Sequence, residues 1–127
     1  MTTTWQDPSN LVWYEIDPST SIAMVISSPG VGGAVIIPSD ITPITQTYTV
    51  SSIDDESFIN VAALTSIALP ETMTSIGTKA FDGCPLLTTV TFDDVSLLTY
   101  IGEYAFKGCV TLTGLDVYDA PLASIEK

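Results

Sequence analysis

Two cysteines are the side chains of this chain with the most reactive chemistry. Cys84 and Cys109 lie 25 positions apart in a chain of 127 residues that contains no histidine. A cysteine or serine nucleophile of the common kind needs a neighbouring histidine as its base, so Ser–His and Cys–His catalysis is excluded. Two thiols without histidine are also too few for a zinc site. We therefore predict no catalytic residues, no metal centre and no enzymatic activity.

Clustered carboxylates are the second candidates for chemistry, in the runs Asp54-Asp55-Glu56 and Asp93-Asp94. Paired carboxylates hydrolyse glycosidic bonds when they flank a cleft, and nothing in the sequence predicts a cleft. Clustered carboxylates also bind Ca²⁺, but the spaced pattern of an EF-hand loop is absent. We expect solvated loop acids and no cofactor, with weak Ca²⁺ binding left open. Lys79 and Lys107 are interpreted as ordinary solvated charges.

The charge balance excludes two classes of partner. Fifteen acids stand against three lysines and no arginine, which gives a net charge of −12. Nucleic acids and anionic membrane surfaces are bound by clustered Lys and Arg, so neither is expected as a partner. No apolar run is long enough to span a bilayer, and because the segment "MTTTWQDPSN" has neither a basic nor an apolar region, we do not expect it to act as a signal peptide. Two explanations stay open. Either an export signal has been lost from this chain, or the protein folds inside the cell that makes it, as a virion component would.

An internal repeat organises the second half of the chain. The segments "SIDDESFINVAALTSIALP", "SIGTKAFDGCPLLTTVTFD" and "YIGEYAFKGCVTLTGLDVY" align without gaps, and their apolar columns step by 23 and then by 25 residues. Such a period predicts stacked coils. The columns are Ile53, Ile76 and Ile101; Phe58, Phe81 and Phe106; Leu64, Leu87 and Leu112; Ile67, Val90 and Leu115; and Leu69, Phe92 and Val117.

The repeat predicts a mainly β fold, a short leucine-rich-repeat solenoid of about three coils with an N-terminal strand cap. A coil buries one apolar edge and is stable only when neighbours cover it. The predicted units are about 50–73, 74–98 and 99–123, with the start of another at 124. Residues 1–49 form the cap and leading strands. Trp5, Trp13 and Tyr14 are expected to cover the first coil, and an exposed aromatic patch for ligand binding is the alternative.

The coil motif resembles the BspA-like leucine-rich repeat family, whose pattern S-I-G-x-x-A-F-x-G-C-x-x-L-T-x-[IV] is matched throughout by "SIGTKAFDGCPLLTTV". The third unit departs at Tyr100 and Leu115, and the first lacks the Gly, the Ala and the G-C pair. The upstream segment "AVIIPSDITPITQTYTV" is similar to the strands that precede the repeats in that family. The resemblance implies a non-enzymatic protein that binds other proteins at an exposed surface.

A stacked array predicts where the two cysteines and the binding residues lie. Cys84 and Cys109 occupy one slot in adjacent coils, where side chains point in parallel, so we expect buried thiols and leave a bridge open. Residues between the buried strand positions should face outward as a concave face. A protein-binding face and a plain solvated face are equally compatible with its small, hydroxylated composition. Its predicted members are Ser66, Ala68, Pro70, Thr89, Thr91, Asp93, Gly114, Asp116 and Tyr118.

Two functions are compatible with these features. The first is a non-enzymatic module that mediates protein–protein interaction or adhesion at an exposed cell or particle surface, which implies an extracellular or surface location. The alternative is an architectural subunit of a virion or filament, assembled through contacts with copies of itself. Ser124 and Ile125 begin a coil that the chain does not complete, so we expect further repeats or another subunit to cover that end.

Overall fold

The structure is a computed structural model that describes residues 2–115 and the backbone of residues 124–125. Over these residues the chain forms strands and turns and contains no helix. The strands are β1 (Thr3–Gln6), β2 (Trp13–Asp17), β3 (Ile22–Ile26), β4 (Gly33–Ile36), β5 (Asp40–Ile41), β6 (Tyr48–Ile53), β7 (Leu64–Leu69), β8 (Ser75–Ile76), β9 (Thr89–Phe92), β10 (Tyr100–Ile101), β11 (Gly114–Leu115) and β12 (Ser124–Ile125).

The described strands form two sheets, between which the chain alternates. Sheet A has the order β1-β2-β3-β6-β8-β10-β12, with β5 beside β6, and sheet B has the order β11-β9-β7-β4. From β3 onward the neighbours in that order pair in parallel in sheet A, as do all pairs in sheet B. Each coil therefore adds one strand to each sheet.

This topology is a β-solenoid of about four turns, which confirms the predicted mainly β solenoid. The repeat spacing predicted about three coils. The additional turn arises because β3 and β4 already pair in parallel with β6 and β7. These two strands lack the Ile and Phe columns that mark the later coils, so the repeat pattern did not reveal them as part of a coil.

The aligned apolar columns face the space between the sheets and make the core. The isoleucine column is buried from Ile53 to Ile101, and so are Phe58 and Phe81. The phenylalanine rings stack nearly parallel along the solenoid, with centroids 5.1 Å apart between Phe58 and Phe81 and 5.3 Å between Phe81 and Phe106. The inward-facing ladders confirm the prediction that each coil covers the apolar edge of its neighbour.

After the first turn, where residues 27–32 lead from β3 to β4, the forward connections from sheet A to sheet B are residues 54–63, 77–88 and 102–113. Successive copies are joined by backbone hydrogen bonds, such as Phe58 N–H to the Ala80 carbonyl at 2.8 Å and Phe81 N–H to the Ala105 carbonyl at 2.7 Å. Their backbone enters the left-handed region at two slots in every copy. One slot holds Glu56, Lys79 and Tyr104, and the other holds Asn60, Gly83 and Gly108.

The N-terminal strands cap the first turn, as predicted. β1, β2 and β3 pair as an antiparallel meander at the end of sheet A. Tyr14 is buried, and the ring of Trp5 packs against it with centroids 5.9 Å apart. The Tyr14 hydroxyl is buried and has no hydrogen-bond partner within the described residues. Burial, followed by the charge of Asp7, raises the pKa of Tyr14. Tyr14 and Trp5 therefore serve the packing of the cap, and Trp13 is half-buried in β2.

Candidate binding face

The outward side of sheet B is the surface on which the structure brings the predicted binding residues together. The strand register pairs Ser66 with Thr89 and Ala68 with Thr91, and Gly114 lies beside Thr89. These residues alternate with Ile67 and Val90, which are buried in the core. Five predicted residues therefore form two rows that run across three strands, and we call this surface the sheet B face.

Strand β4 extends both rows by residues that the sequence analysis did not include. Ala34 pairs with Ser66, and Ile36 pairs with Ala68. Ile36 is 70% exposed, which is unusual for an isoleucine in a strand. Its carbonyl accepts a hydrogen bond of 3.2 Å from the Asn10 side chain, which places the N-terminal loop beside this end of the face. The alternation of buried Val35 and Ile37 was the signal in the sequence that could have identified Ala34 and Ile36.

The remaining predicted face residues have other positions. Asp93 is exposed just beyond β9, and its N–H donates to the Leu69 carbonyl at 3.1 Å. Pro70 is buried, so it does not belong to the face. Asp116 and Tyr118 lie outside the described residues. The face that the structure defines is therefore small, neutral and hydroxylated over its centre.

Acidic residues lie along one edge of the sheet B face. The return connections, which lead from sheet B back to sheet A, are residues 37–47, 70–74 and 93–99. Parallel strands end at the same edge of a sheet, so these connections lie next to one another. Asp40 belongs to β5, which pairs with β6 in sheet A. Glu71, Asp93 and Asp94 are exposed at this edge of sheet B, and we call these three residues the acidic edge. The lysines within residues 2–115, Lys79 and Lys107, both lie on forward connections.

The Asp94 carboxylate is held in its ionised form by its neighbour Ser96. The Ser96 backbone N–H donates to the Asp94 Oδ1 atom at 2.6 Å. This bond, and then the Ser96 hydroxyl, lower the pKa of Asp94, because both donors stabilise the charged form. The acidic edge therefore retains this negative charge at mildly acidic pH.

An open depression joins the face to its acidic edge. Its volume is ≈ 850 Å³, and Leu115, the last residue of the continuous described range, lies on its border. Its walls include Thr89, Thr91 and Gly114 from the face and Asp93, Asp94 and Ser96 from the return connection. Hydroxyls, carboxylates and apolar side chains such as Phe92 and Val95 thus line one concave surface.

The cysteines occupy structural positions in adjacent coils. Both thiols are free; the Cys84 Sγ atom donates to the Phe58 carbonyl at 3.0 Å, and the Cys109 Sγ atom donates to the Phe81 carbonyl at 3.1 Å. The neighbouring Cys109 and burial raise the pKa of Cys84, so its thiol stays protonated at neutral pH. These bonds link each coil to the one before it.

One carboxylate of the run at 54–56 also joins two coils. All three side chains are exposed, and the Asp55 Oδ1 atom accepts a hydrogen bond of 2.8 Å from the Thr78 N–H of the next coil. Among the residues with described positions, no group of three or more His, Cys, Asp or Glu side chains is placed to hold a metal ion. In the same part of the chain, no helix is long and apolar enough to traverse a bilayer.

Solved structures of bacterial repeat proteins match this architecture. A leucine-rich cell surface protein of Faecalibacterium prausnitzii is 31% identical, with a TM-score of 0.81 over 97% of this chain and 32% of its own. A leucine-rich repeat protein of T. pallidum is 26% identical, with a TM-score of 0.78 over 97% of this chain and 54% of its own. This chain thus spans about a third and about half of their lengths.

A third structure shows the same fold over its full length. It is a leucine-rich repeat protein of Bacteroides capillosus, 24% identical, with a TM-score of 0.74 over 97% of this chain and 96% of its own. A comparison with curated proteins finds no match. The BspA-type leucine-rich repeat region is matched in six copies over residues 37–127, which is most of the chain. Together with the parallel coils and the stacked columns, this match shows that the chain belongs to the BspA-type leucine-rich repeat family.

Proposed function

We propose that this chain is a non-enzymatic binding module that presents the sheet B face to a protein partner. The observation that carries the proposal is the pair of outward rows that β4, β7, β9 and β11 build from four successive coils. Leucine-rich repeats generally mediate protein–protein interaction, and proteins of this family are non-catalytic. A rigid stacked sheet supports such a role because its side chains are positioned before binding and little ordering is needed.

The proposed site of action is an exposed cell or particle surface, where the module contributes to adhesion. The support is the Faecalibacterium prausnitzii relative, which is described as a cell surface protein. The net charge of −12 also suits a protein that must stay dispersed in an aqueous exterior. One face of this size binds weakly, and adhesion would gain strength from many copies acting together.

Assembly through self-contacts, as in a virion or filament, is the less favoured function. Copies that each carry a charge of −12 repel one another, and this repulsion opposes close packing unless salt screens it. Analytical ultracentrifugation at low and high ionic strength measures this directly. A monomer at both supports the binding module, and an ordered assembly at physiological salt would support the architectural role.

The binding face is tested by selecting ligands and then obstructing the face. A phage-displayed library of random peptides is selected against the intact chain. The selected peptides are re-tested against Thr91→Tyr, which places a large side chain at the centre of the sheet B face. Ser75→Tyr is the matched control on the outward side of sheet A, in the row where Tyr100 already occupies the neighbouring position.

We expect most selected peptides to lose binding to Thr91→Tyr and to keep it to Ser75→Tyr. Circular dichroism establishes that both variants stay folded. A selection that yields no peptides, or peptides that bind both variants equally, would rule out the sheet B face as the binding surface.

A further inference from the structure

The two edges of the sheet B face differ in chemistry. The segments that immediately precede its strands, residues 27–32, 61–63, 85–88 and 110–113, contain no charged residue. Leu86 is 52% exposed and Val110 is 81% exposed, and Ala62 and Ala63 are exposed beside them in the preceding coil. We call Ala62, Ala63, Leu86 and Val110 the apolar edge. Exposed apolar residues grouped in this way are typical of contact surfaces.

The stacking of coils makes this apolar edge continuous. The Thr111 hydroxyl donates to the Pro85 carbonyl at 2.8 Å and also to the Leu87 carbonyl at 3.1 Å, which fixes the turn around Val110 against the turn around Leu86. A Cβ atom placed on Gly32 would lie 3.1 Å from the Ala63 Cβ atom, so the turn around Gly32 lies equally close to the turn around Ala63. The apolar residues of separate coils therefore share one ridge.

The acidic edge lies on the other side of the face. A strand and its flanking turns separate Leu86 from Asp94, which corresponds to roughly 20–25 Å along the chain. Between these edges lie the small, neutral rows of Ser66, Thr89 and Thr91. The face thus changes from apolar to neutral to negative in the strand direction.

We propose that the sheet B face docks a protein segment with apolar side chains at one end and Lys or Arg side chains at the other. This inference rests on the proposed function and names the chemistry of its partner. The apolar end lies on the apolar edge, and the cationic end lies among Glu71, Asp93 and Asp94. Charge complementarity selects this occupant, because the acidic edge has no lysine beside it within residues 2–115.

A second copy of the chain does not fit this surface. The protein has three lysines against fifteen acids, and its two lysines within residues 2–115 lie on forward connections beside acidic residues. A second copy therefore brings mostly negative charge to an edge that is already negative. A cationic segment of another protein gains from this field instead of opposing it.

The test uses a synthetic peptide of about twelve residues, long enough to span the two edges when extended. Leucines fill its first third, Gly and Ser the middle, and lysines its last third. In one control peptide serines replace the leucines, and in the other glutamates replace the lysines. Binding to the intact chain is measured by fluorescence anisotropy at low ionic strength, and ¹H–¹⁵N NMR maps the shifted amides.

Two protein variants that remove equal charge separate the acidic edge from the overall charge. The edge variant is Glu71→Gln/Asp93→Asn/Asp94→Asn, and the control variant is Asp54→Asn/Glu56→Gln/Glu103→Gln on forward connections. All six side chains are exposed, and each set changes the net charge from −12 to −9. Neither set includes Asp55, which links two coils.

We expect the peptide to bind about tenfold more weakly to the edge variant and less than about twofold more weakly to the control variant. The difference should vanish near 1 M salt, where charges are screened within about 3 Å. Both control peptides should bind more weakly than the parent, and the shifted amides should lie on the sheet B face.

Three results would overturn the inference. The first is an equal loss for both protein variants, because binding would then follow net charge alone. The second is undiminished binding of the peptide with serines in place of leucines. The third is no binding of the parent peptide when the library still yields face-dependent peptides of other composition. In that third case the proposed function stands and only the chemistry of the partner is wrong.

Discussion

The two connections of each coil follow different rules. The forward connections at 54–63 and 77–88 repeat their buried residues in register, with Phe58 and Phe81 stacked at 5.1 Å. The return connections at 70–74 and 93–99 differ in length by two residues and have no such column of buried rings. This extra length changes the repeat spacing from 23 to 25 residues. One side of the coil therefore keeps its buried residues in register, whereas the other varies in length and buries few side chains, such as Met73 and Leu98.

This difference separates stability from recognition within a single coil. A forward connection must fit the copy before it and the copy after it, so its residues are chosen by volume and backbone conformation. A return connection also buries an apolar side chain, Met73 or Leu98, but leaves its acids exposed, so it can carry charges such as Glu71 and Asp94 at small cost. Substitutions on the two sides should therefore have effects of very different size.

The largest effect is expected from Phe81→Ala on a forward connection. Phe81 is fully buried between Phe58 and Phe106, so its truncation should reduce the free energy of unfolding by about 3–5 kcal/mol. The control is Phe92→Ala beside a return connection, where the half-buried ring should cost about half as much. Urea unfolding of both variants makes the measurement. Equal losses would contradict the division between the two sides.

A substitution at Gly77 should have the next largest effect. A Cβ atom on Gly77 would lie 2.5 Å from the Asp55 backbone nitrogen, so Gly77→Ala forces two coils apart and should cost about 1–3 kcal/mol. Gly30 has nothing within 4 Å of the same atom, and Gly30→Ala should change stability by less than about 1 kcal/mol. Thermal unfolding of the pair decides this, and a neutral Gly77→Ala would show that the coils are not in close contact.

Replacing Lys79 by glycine, in the left-handed slot of a forward connection, should have a smaller effect and should increase the free energy of unfolding. Lys79 has a φ of 56°, a conformation that costs a side-chain-bearing residue about 1–2 kcal/mol. Glycine relieves this strain but costs about 0.5–1 kcal/mol, because it loses more conformational entropy on folding. Lys79→Gly should therefore stabilise the folded protein slightly. Lys107→Gly should destabilise, because Lys107 has no positive φ and its Nζ lies 4.8 Å from the Tyr104 ring. Chemical denaturation compares the two, and destabilisation of both by the same amount would argue against strain at residue 79.

The smallest effect on stability is expected at the acidic edge. The variant Glu71→Gln/Asp93→Asn/Asp94→Asn removes exposed charges that repel one another, so its free energy of unfolding should change by less than about 1 kcal/mol. Calorimetric unfolding of this variant and the parent makes the comparison. A large destabilisation would show that these three carboxylates help to hold the coils together.

The repeat itself was determined by the sequence. The Ile, Phe and Leu columns recur in step, and any fold that buries all of them must stack the segments that carry them, since an isolated coil leaves its edge in water. The alternation of Ser66 with Ile67 and of Thr89 with Val90 likewise predicted which residues of β7 and β9 face outward. These features are periodic, and a period can be recognised from the sequence alone.

The tertiary structure alone decided which residues meet across coils of unlike sequence. Val35 of β4 continues the column of Ile67 and Val90, but the pairing of β4 with β7, which adds Ala34 and Ile36 to the face, had to be seen in three dimensions. The burial of Pro70 and the hydrogen bond that the Thr78 N–H donates to Asp55 were likewise visible only in the tertiary structure. The acidic edge also exists because parallel strands end side by side, which gathers residues far apart in the chain. The spacing of residues along the chain determines which positions repeat, and the contacts between neighbouring coils determine which side chains lie together.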